Sequence, residues 1–530
     1  MTTTTATKPP RATGTSRWLK QNRGRLALAA FFAFVVFSAL FTMDTNDWLI
    51  TIIRGLAVGA ITFLVASGLS LIFGLMDVLS LAHGEFYMLG AYVGWTIYVR
   101  PDTFLDILTP VALVLSALAL LPLWRHVASR WPRGKWPRII TPIVVGLAGL
   151  AIVLFVFAKF PLSIWDLEVY TDTPINNAVA LDQDVQELPP PAGFDGISPL
   201  VGIISIWLGG ALLGLGIAGG VERKAEVTAP LPGRSTYVIA ATVAILGLVV
   251  YTVNDPLTDW WYALGTTPRF FFALGITVVL GFGLGAFVEV VFIRPLYDRL
   301  LYQLMMTLGL GFIIIEVVRS VWGRPAFTMP KPAAFNGTGE GCPGEGLGGL
   351  FSGCSTIKIF DSRVRLYNEV FIILVGIIVL VGINLIIKRT RLGMIIRAGV
   401  QDSEMVEALG INVRRVFTIT FGMGVALASL GGVIAAPAVG LSPGMGATVL
   451  LLALIAMAIG GLTSFSGAAV GAVVVGVMQQ FMIKFGSVGI PVPWMEDPFK
   501  PSPVLVPASV ILLMIVVLLV LPHGLFGREE

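Results

Sequence analysis

Residues 388–415 read KRTRLGMIIRAGVQDSEMVEALGINVRR, a polar island between the apolar runs 369–388 and 415–436. Its ends are basic, with Lys388, Arg389 and Arg391 on one side and Arg414 and Arg415 on the other. Inside it, Ile395, Ile396, Val400, Val406, Ala408 and Leu409 recur at the spacing of one helix face. So basic a loop beside a membrane span stays in the cytoplasm. An amphipathic helix displayed there, with Asp402, Glu404 and Glu407 mixed in, suits docking to a soluble protein. A solvated connecting loop would leave the same pattern.

The rest of the chain sets this island in a membrane. Of 530 residues, 56% are apolar and 12% charged, and the mean hydropathy is +0.88. Soluble domains carry about a quarter charged residues. The fold class read from this is an all-α integral membrane protein. About 20 apolar residues span the hydrocarbon core. Fourteen apolar segments lie near 26–43, 48–73, 84–99, 107–124, 139–158, 199–220, 235–253, 269–293, 301–322, 369–388, 415–436, 447–462, 467–485 and 504–521. Residues 1–25 are polar, Thr-rich and basic, as in a disordered cytoplasmic tail. No cleavage site follows 26–43, so it is kept as a span. The net charge of +4 sits in short loops flanking apolar runs and points to no nucleic-acid partner.

Loop charges orient the segments. Loop 125–138 carries Arg125, Arg130, Arg133, Lys135 and Arg138 with no acid, which places it inside. Loop 159–198 holds Asp166, Glu168, Asp172, Asp182, Asp184, Glu187 and Asp195 against Lys159 alone, which places it outside. Loops 294–300 and 388–415 fall inside, and both termini come out cytoplasmic. Loop 323–368 is ambiguous by charge, and parity puts it outside. It contains both cysteines, Cys342 and Cys354, in a stretch too Gly-rich to be held by packing. A disulfide suits an outer loop. Two free thiols are the alternative, and a metal pair is disfavoured because no His or further Cys is near.

Four blocks give the chain a family likeness. They are 55–95, with Ala82-His83-Gly84-Glu85 at its turn; EVVFIRPLYDR at 289–299; the Arg391–Asn412 loop; and LPHGLFG at 521–527. Together they resemble the permease subunit of branched-chain amino acid transporters of the ATP-binding-cassette class, the LivH type. The likeness covers about 55–99 and 269–527, and departs at His523, where Gln is usual. It implies ten permease segments, 26–99 and 269–527, with 388–415 as the coupling loop facing an ATPase. Residues 100–268 then form a four-segment insert, which the likeness does not explain. It also implies as partners a second permease subunit, homologous or identical, two cytoplasmic ATPase subunits and an extracytoplasmic solute-binding protein. The setting would be the inner membrane of a bacterial cell. Members move branched-chain and other hydrophobic amino acids, and relatives handle urea, amides or small organic acids.

No catalytic constellation is visible. There is no GxxxxGK[ST] phosphate loop, so ATP hydrolysis is expected on separate subunits. The three histidines, His83, His126 and His523, are too scattered for a metal site. No cofactor is expected. An ion-coupled secondary transporter would need buried carboxylates in its spans, and few exist. Two polar breaks interrupt the apolar pattern. One holds Asp77, Ser80, His83 and Glu85, the other Thr463, Ser464 and Ser466. Interrupted segments in two halves of a transporter mark the pathway, and tight interfacial turns would look alike. The breaks are expected to approach each other near the axis between two permease subunits. For ATPase coupling the expected contacts are Arg397, Asp402, Glu404 and Gly410. Glu289 and Glu316 are expected to pair with Arg294 and Arg319. Gly281 with Gly285, and Gly467 with Gly471, read as helix-packing positions.

Overall fold

A computed structural model describes residues 30, 32, 33, 37, 39–131, 135–160, 196–221, 231–297, 299–338, 342–345, 349, 353–359, 362–401, 403–490 and 497–526. Of residues 41, 135–139, 221, 359, 400, 401, 403 and 404 only the backbone is described. The tail 1–25, most of the run 26–43 and nearly all of the acidic loop 159–198 lie outside the described residues.

Lipid offers no hydrogen bonds, so a spanning backbone must satisfy its own, and helices do this within one segment. The helices are α1 (Thr45–Met76), α2 (His83–Val99), α3 (Pro101–Ala119), α4 (Leu121–Ala128), α5 (Lys135–Phe157), α6 (Pro199–Val221), α7 (Arg234–Thr252), α8 (Asn254–Ala263), α9 (Thr266–Val288), α10 (Leu300–Trp322), α11 (Ile372–Arg389), α12 (Arg391–Gln401), α13 (Ser403–Ala408), α14 (Val413–Val439), α15 (Met445–Gly460), α16 (Phe465–Val488) and α17 (Leu505–Val520). Among the described residues ten helices are long and apolar enough to cross a membrane, and α15 and α17 are shorter apolar helices. Each expected segment from 48–73 onward falls on a helix. The segment expected at 107–124 instead begins at Pro101 and breaks at Leu120. Its first two turns contain Asp102 and Asp106, charges that hide it from a hydropathy reading.

The chain divides into two compact units, Met1–Gly94 with Ala273–Glu530, and Trp95–Phe272. In the second unit α5 packs on α6, and α3 packs on α6 and α7. Its buried charges are paired as burial requires. Arg100 bonds Asp102 at 2.9 Å, Tyr262 donates to Asp102 at 3.2 Å, and Asn254 donates to Asp106.

In the first unit α1 is the central helix, touching α11, α14, α15 and α16. At 32 residues it is about 48 Å long, well beyond a hydrocarbon core of about 30 Å. Small residues bring its neighbours close, as the glycine spacing anticipates. A Cβ at Gly471 would lie 2.0 Å from Ala456 O, and one at Gly285 2.9 Å from Gly422 Cα.

The loop between α10 and α11 has its own architecture. Strands β1 (Gly344–Glu345), β2 (Thr356–Ile359) and β3 (Ser362–Arg365) form one sheet, with β1 parallel and β3 antiparallel to β2. Ile357, Val364 and Leu366 are buried together, with Ile53 of α1 and Phe335 packed against them. This packing lies on either side of the Gly-rich stretch around the cysteines. The alternation in Ile357-Lys358 and Arg363-Val364 buries one face, a signal too short to stand out in the sequence. Cys342 and Cys354 are bonded, with Cα atoms 5.5 Å apart. Peptide mapping without reductant should recover the 342–354 cross-link. In the loop-entropy model, closing so short a loop stabilises by about 3 kcal/mol. Recovery of both thiols alkylated would reject the bond.

Candidate functional site

The first break is a buried polar cluster. α1 ends at Asp77, whose φ of 56° turns the chain back. The turn is held by His83 N donating to Ser80 O and by Leu81 N donating to Thr307 Oγ1 at 3.2 Å, a tie to α10. α2 therefore starts beside α1 rather than below it. His83 is fully buried beside the Val65 backbone. A Cβ at Gly68 would stand 2.8 Å from His83 Nε2 and 2.5 Å from Gly424 O. Glycine at 68 is thus what lets α1, α14 and the imidazole share one level.

Glu85 lies against the first turn of α15. A Cβ at Gly446 would be 2.5 Å from Glu85 Oε2, and one at Gly311 would be 3.4 Å from Glu85 Cγ. The first turn of a helix presents unpaired N–H groups and a positive dipole end, which suits a carboxylate. Ser80 Oγ and Glu85 Oε2 are buried and have no hydrogen-bond partner among the described residues. Such atoms are costly to leave dry. The cluster thus offers one hydroxyl and one carboxylate oxygen to a polar visitor. Asp77 differs from the rest of the group in being exposed.

The second break is of another kind. Thr463 and Ser466 are exposed. Ser464 caps α16 by accepting from Gly467 N at 3.1 Å, a common structural task for serine. The C-terminal LPHGLFG block closes the turn from below. Leu525 N donates to Ile459 O at 2.8 Å and Phe526 N to Gly460 O at 3.0 Å, which satisfies carbonyls at the end of α15.

Within this chain the two breaks adjoin at one end only, where Thr463 lies against Gly74, one turn before Asp77. His83 packs on Gly68, whereas Ser70 donates to Leu462 O at 3.3 Å. Residues 68 and 70 lie on opposite faces of α1, because two residues turn a helix by about 200°. Glu85 and the second break also stand at opposite ends of α15, whose 16 residues run about 24 Å. Within one chain, the His83 and Glu85 end of the first break therefore stands apart from the second.

The block at 289–299 builds a second buried network. α9 passes into a π-helical turn at Glu289–Ile293, a geometry often found at functional positions. Glu289 is fully buried. Arg294 grips it with Nε at 3.2 Å and Nη2 at 2.9 Å. Tyr297 OH donates to its Oε1 and Thr418 Oγ1 to its Oε2 at 2.7 Å. Arg319 bonds Glu316 at 3.1 Å, in an exposed pair. Both pairings match the sequence expectation. Thr418 lies in α14, one turn after the 388–415 loop, so sequence reasoning missed a partner 129 residues away.

That loop forms α12 and α13. Ile396 of α12 is buried with Leu75 at the end of α1 and Val416 at the base of α14, and Leu392 and Ile395 pack against them. The other side carries exposed Met394, Met405 and Leu409, together with Arg397, Glu407 and Gly410, also exposed. Gly410, at φ 81°, ends α13 in the left-handed region where glycine is favoured. Asp402 and the side chain of Glu404 lie outside the described residues.

A helical bundle of this length and apolarity defines a multi-pass membrane protein. The family profile described as "Branched-chain amino acid transport system / permease component" matches residues 51–165 and 233–521, and the chain belongs to that family. It is 33% identical over 166 residues, 31% of its length, to a protein of Pseudomonas aeruginosa. That relative is the high-affinity branched-chain amino acid transport system permease protein BraD, of which 49% is covered. The corresponding LivH protein of Salmonella typhimurium is 28% identical over 195 residues, 36% of this chain and 58% of the relative. The probable LivH permease of Methanocaldococcus jannaschii is 24% identical over 174 residues, 32% of this chain and 51% of the relative. The chain thus spans about half the length of the curated relatives it matches. No solved structure matches it.

Proposed function

We propose that the chain is the membrane subunit of an ATP-binding-cassette importer. It would carry branched-chain or other hydrophobic amino acids, received from an extracytoplasmic binding protein, across a bacterial inner membrane. Its partners are a second permease subunit and two cytoplasmic ATPases. The single observation that carries this reading is the two-sided α12–α13 element. One face grips Leu75 and Val416, and the other leaves Met394 62%, Met405 58% and Leu409 72% exposed. A connecting loop with no partner has no use for such an apolar face. Arg397, Glu404 and Gly410 belong to this element, and Asp402 falls between its two helices in the sequence.

In this mechanism the ATPases close on α12–α13 and displace it. The load passes through Leu75 to the end of α1. Asp77 and the buried turn follow at once, so the Ser80, His83 and Glu85 cluster shifts. The first turns of α2 and α15 point N–H groups there, which suits a substrate carboxylate. Thr463, Ser464 and Ser466 form the second turn, in which Thr463 and Ser466 are exposed. Residues 100–268 are an accessory bundle on this reading.

On the outer side, Lys358 stands directly opposite Arg363 in the sheet, and both are exposed. Like charges in that register are destabilising. Lys331 is held below the usual amine range, first by burial and then by Arg365 beside it. A negatively charged binding protein would relieve both.

The test is thiol labelling of the assembled complex with a small polar reagent. Ser80→Cys and His83→Cys should react in one nucleotide state and not the other, while Thr463→Cys reacts in both. A cysteine at 80 that stays inert in every state would remove the cluster from the pathway.

A further inference from the structure

An apolar cleft of about 370 Å³ opens in the first unit between α9, α11 and α14. Its walls include Val279, Phe282, Ile386, Ile387, Met423 and Leu427, and no polar atom lines it. That volume lies within the range of small-molecule sites. Val279 is 69% exposed, so the cleft is open on one side. Ile386 and Ile387 lie in the last turns of α11, directly before Lys388 and Arg389, with Arg391 starting α12. All three cations are exposed, and none forms an ion pair among the described residues. The mouth of the cleft is therefore collared by positive charge.

We propose that this cleft is a resident site for an anionic phospholipid, with one acyl chain along Val279, Phe282 and Met423 and the phosphate received by Lys388 and Arg389. Basic pockets between spans on the cytoplasmic side are suited to anionic headgroups. A wholly apolar wall excludes the amino-acid substrate, whose charged ends would be left unpaired. A second copy of the chain fits poorly. A two-fold contact through this cleft would set one basic collar against another, and nothing acidic lines either.

The test is native mass spectrometry of the full-length protein, extracted in mild detergent from vesicles of equal phosphatidylglycerol and phosphatidylcholine. Wild type should retain phosphatidylglycerol in strong excess. Lys388→Gln and Arg389→Gln should each lower that retention by about fivefold, the effect of one basic residue near a charged headgroup. Val279→Trp, at an exposed wall position, should displace the lipid and leave the thermal midpoint in lipid-free detergent unchanged. Retention of the two lipids in the vesicle ratio, indifferent to all three variants, would overturn the proposal. So would efficient disulfide cross-linking of Val279→Cys between two copies, which would assign the cleft to a subunit interface.

Discussion

Replacing Arg294 with methionine should destabilise the protein by about 3–5 kcal/mol, the usual cost of stripping one partner from a buried ion pair. The asymmetry of the pair decides the direction of a second comparison. The Glu289 side chain is 0% exposed, whereas that of Arg294 is 31% exposed. Without Arg294, the carboxylate has no route to water and keeps only Tyr297 and Thr418. Without the carboxylate, Arg294 can turn outward and be solvated. Glu289→Gln should therefore cost less than Arg294→Met. Glu316→Ala, which breaks an exposed pair, should cost under about 1 kcal/mol. Thermal unfolding in one detergent, read by intrinsic fluorescence, orders the three variants. Equal losses at 294 and 316 would show that the buried network contributes nothing.

Charging the outer face of α12–α13 should abolish uptake and spare the fold. Met394→Asp with Met405→Asp places two carboxylates where an ATPase cleft would hold the methionines. Losing one well-packed interface anchor costs about 2 kcal/mol or more, roughly 30-fold in affinity. Surface substitutions away from buried features stay within about 0.5 kcal/mol of wild type, so the isolated chain should melt normally. Gly410→Val acts differently. No atom lies within 4 Å of a Cβ built there, so nothing clashes, and the left-handed backbone alone costs about 1–2 kcal/mol. It should loosen the end of α13 and lower uptake partially. Affinity for the ATPases, measured with purified subunits, separates the cases. Wild-type affinity in the Met394/Met405 double variant would place the docking surface elsewhere.

Apolar run length made most of the helices legible, because lipid leaves a spanning backbone few other choices. Polar partners far apart in sequence were not legible. The first two turns of α3 looked too charged to be part of a segment, because the partners of Asp102 and Asp106, namely Arg100, Tyr262 and Asn254, cannot be read from the spacing. Thr418 gave no sign that it would bond Glu289. The small sheet between α10 and α11 escaped notice because its strands are four residues or fewer, below the length at which alternation is informative. The two polar breaks looked equivalent in composition. Only the packing distinguishes a cluster buried by Gly68, Gly311 and Gly446 from a capped turn that faces solvent. Spacing in one dimension carries no account of which face of α1 each break would meet.

The most direct test of the account is uptake into proteoliposomes holding this chain, its permease partner and both ATPases, with the binding protein supplied outside. Enclosed ATP should drive leucine accumulation, and the Met394/Met405 double variant should stop it. Accumulation driven by a proton or sodium gradient, with the ATPases omitted, would contradict the account.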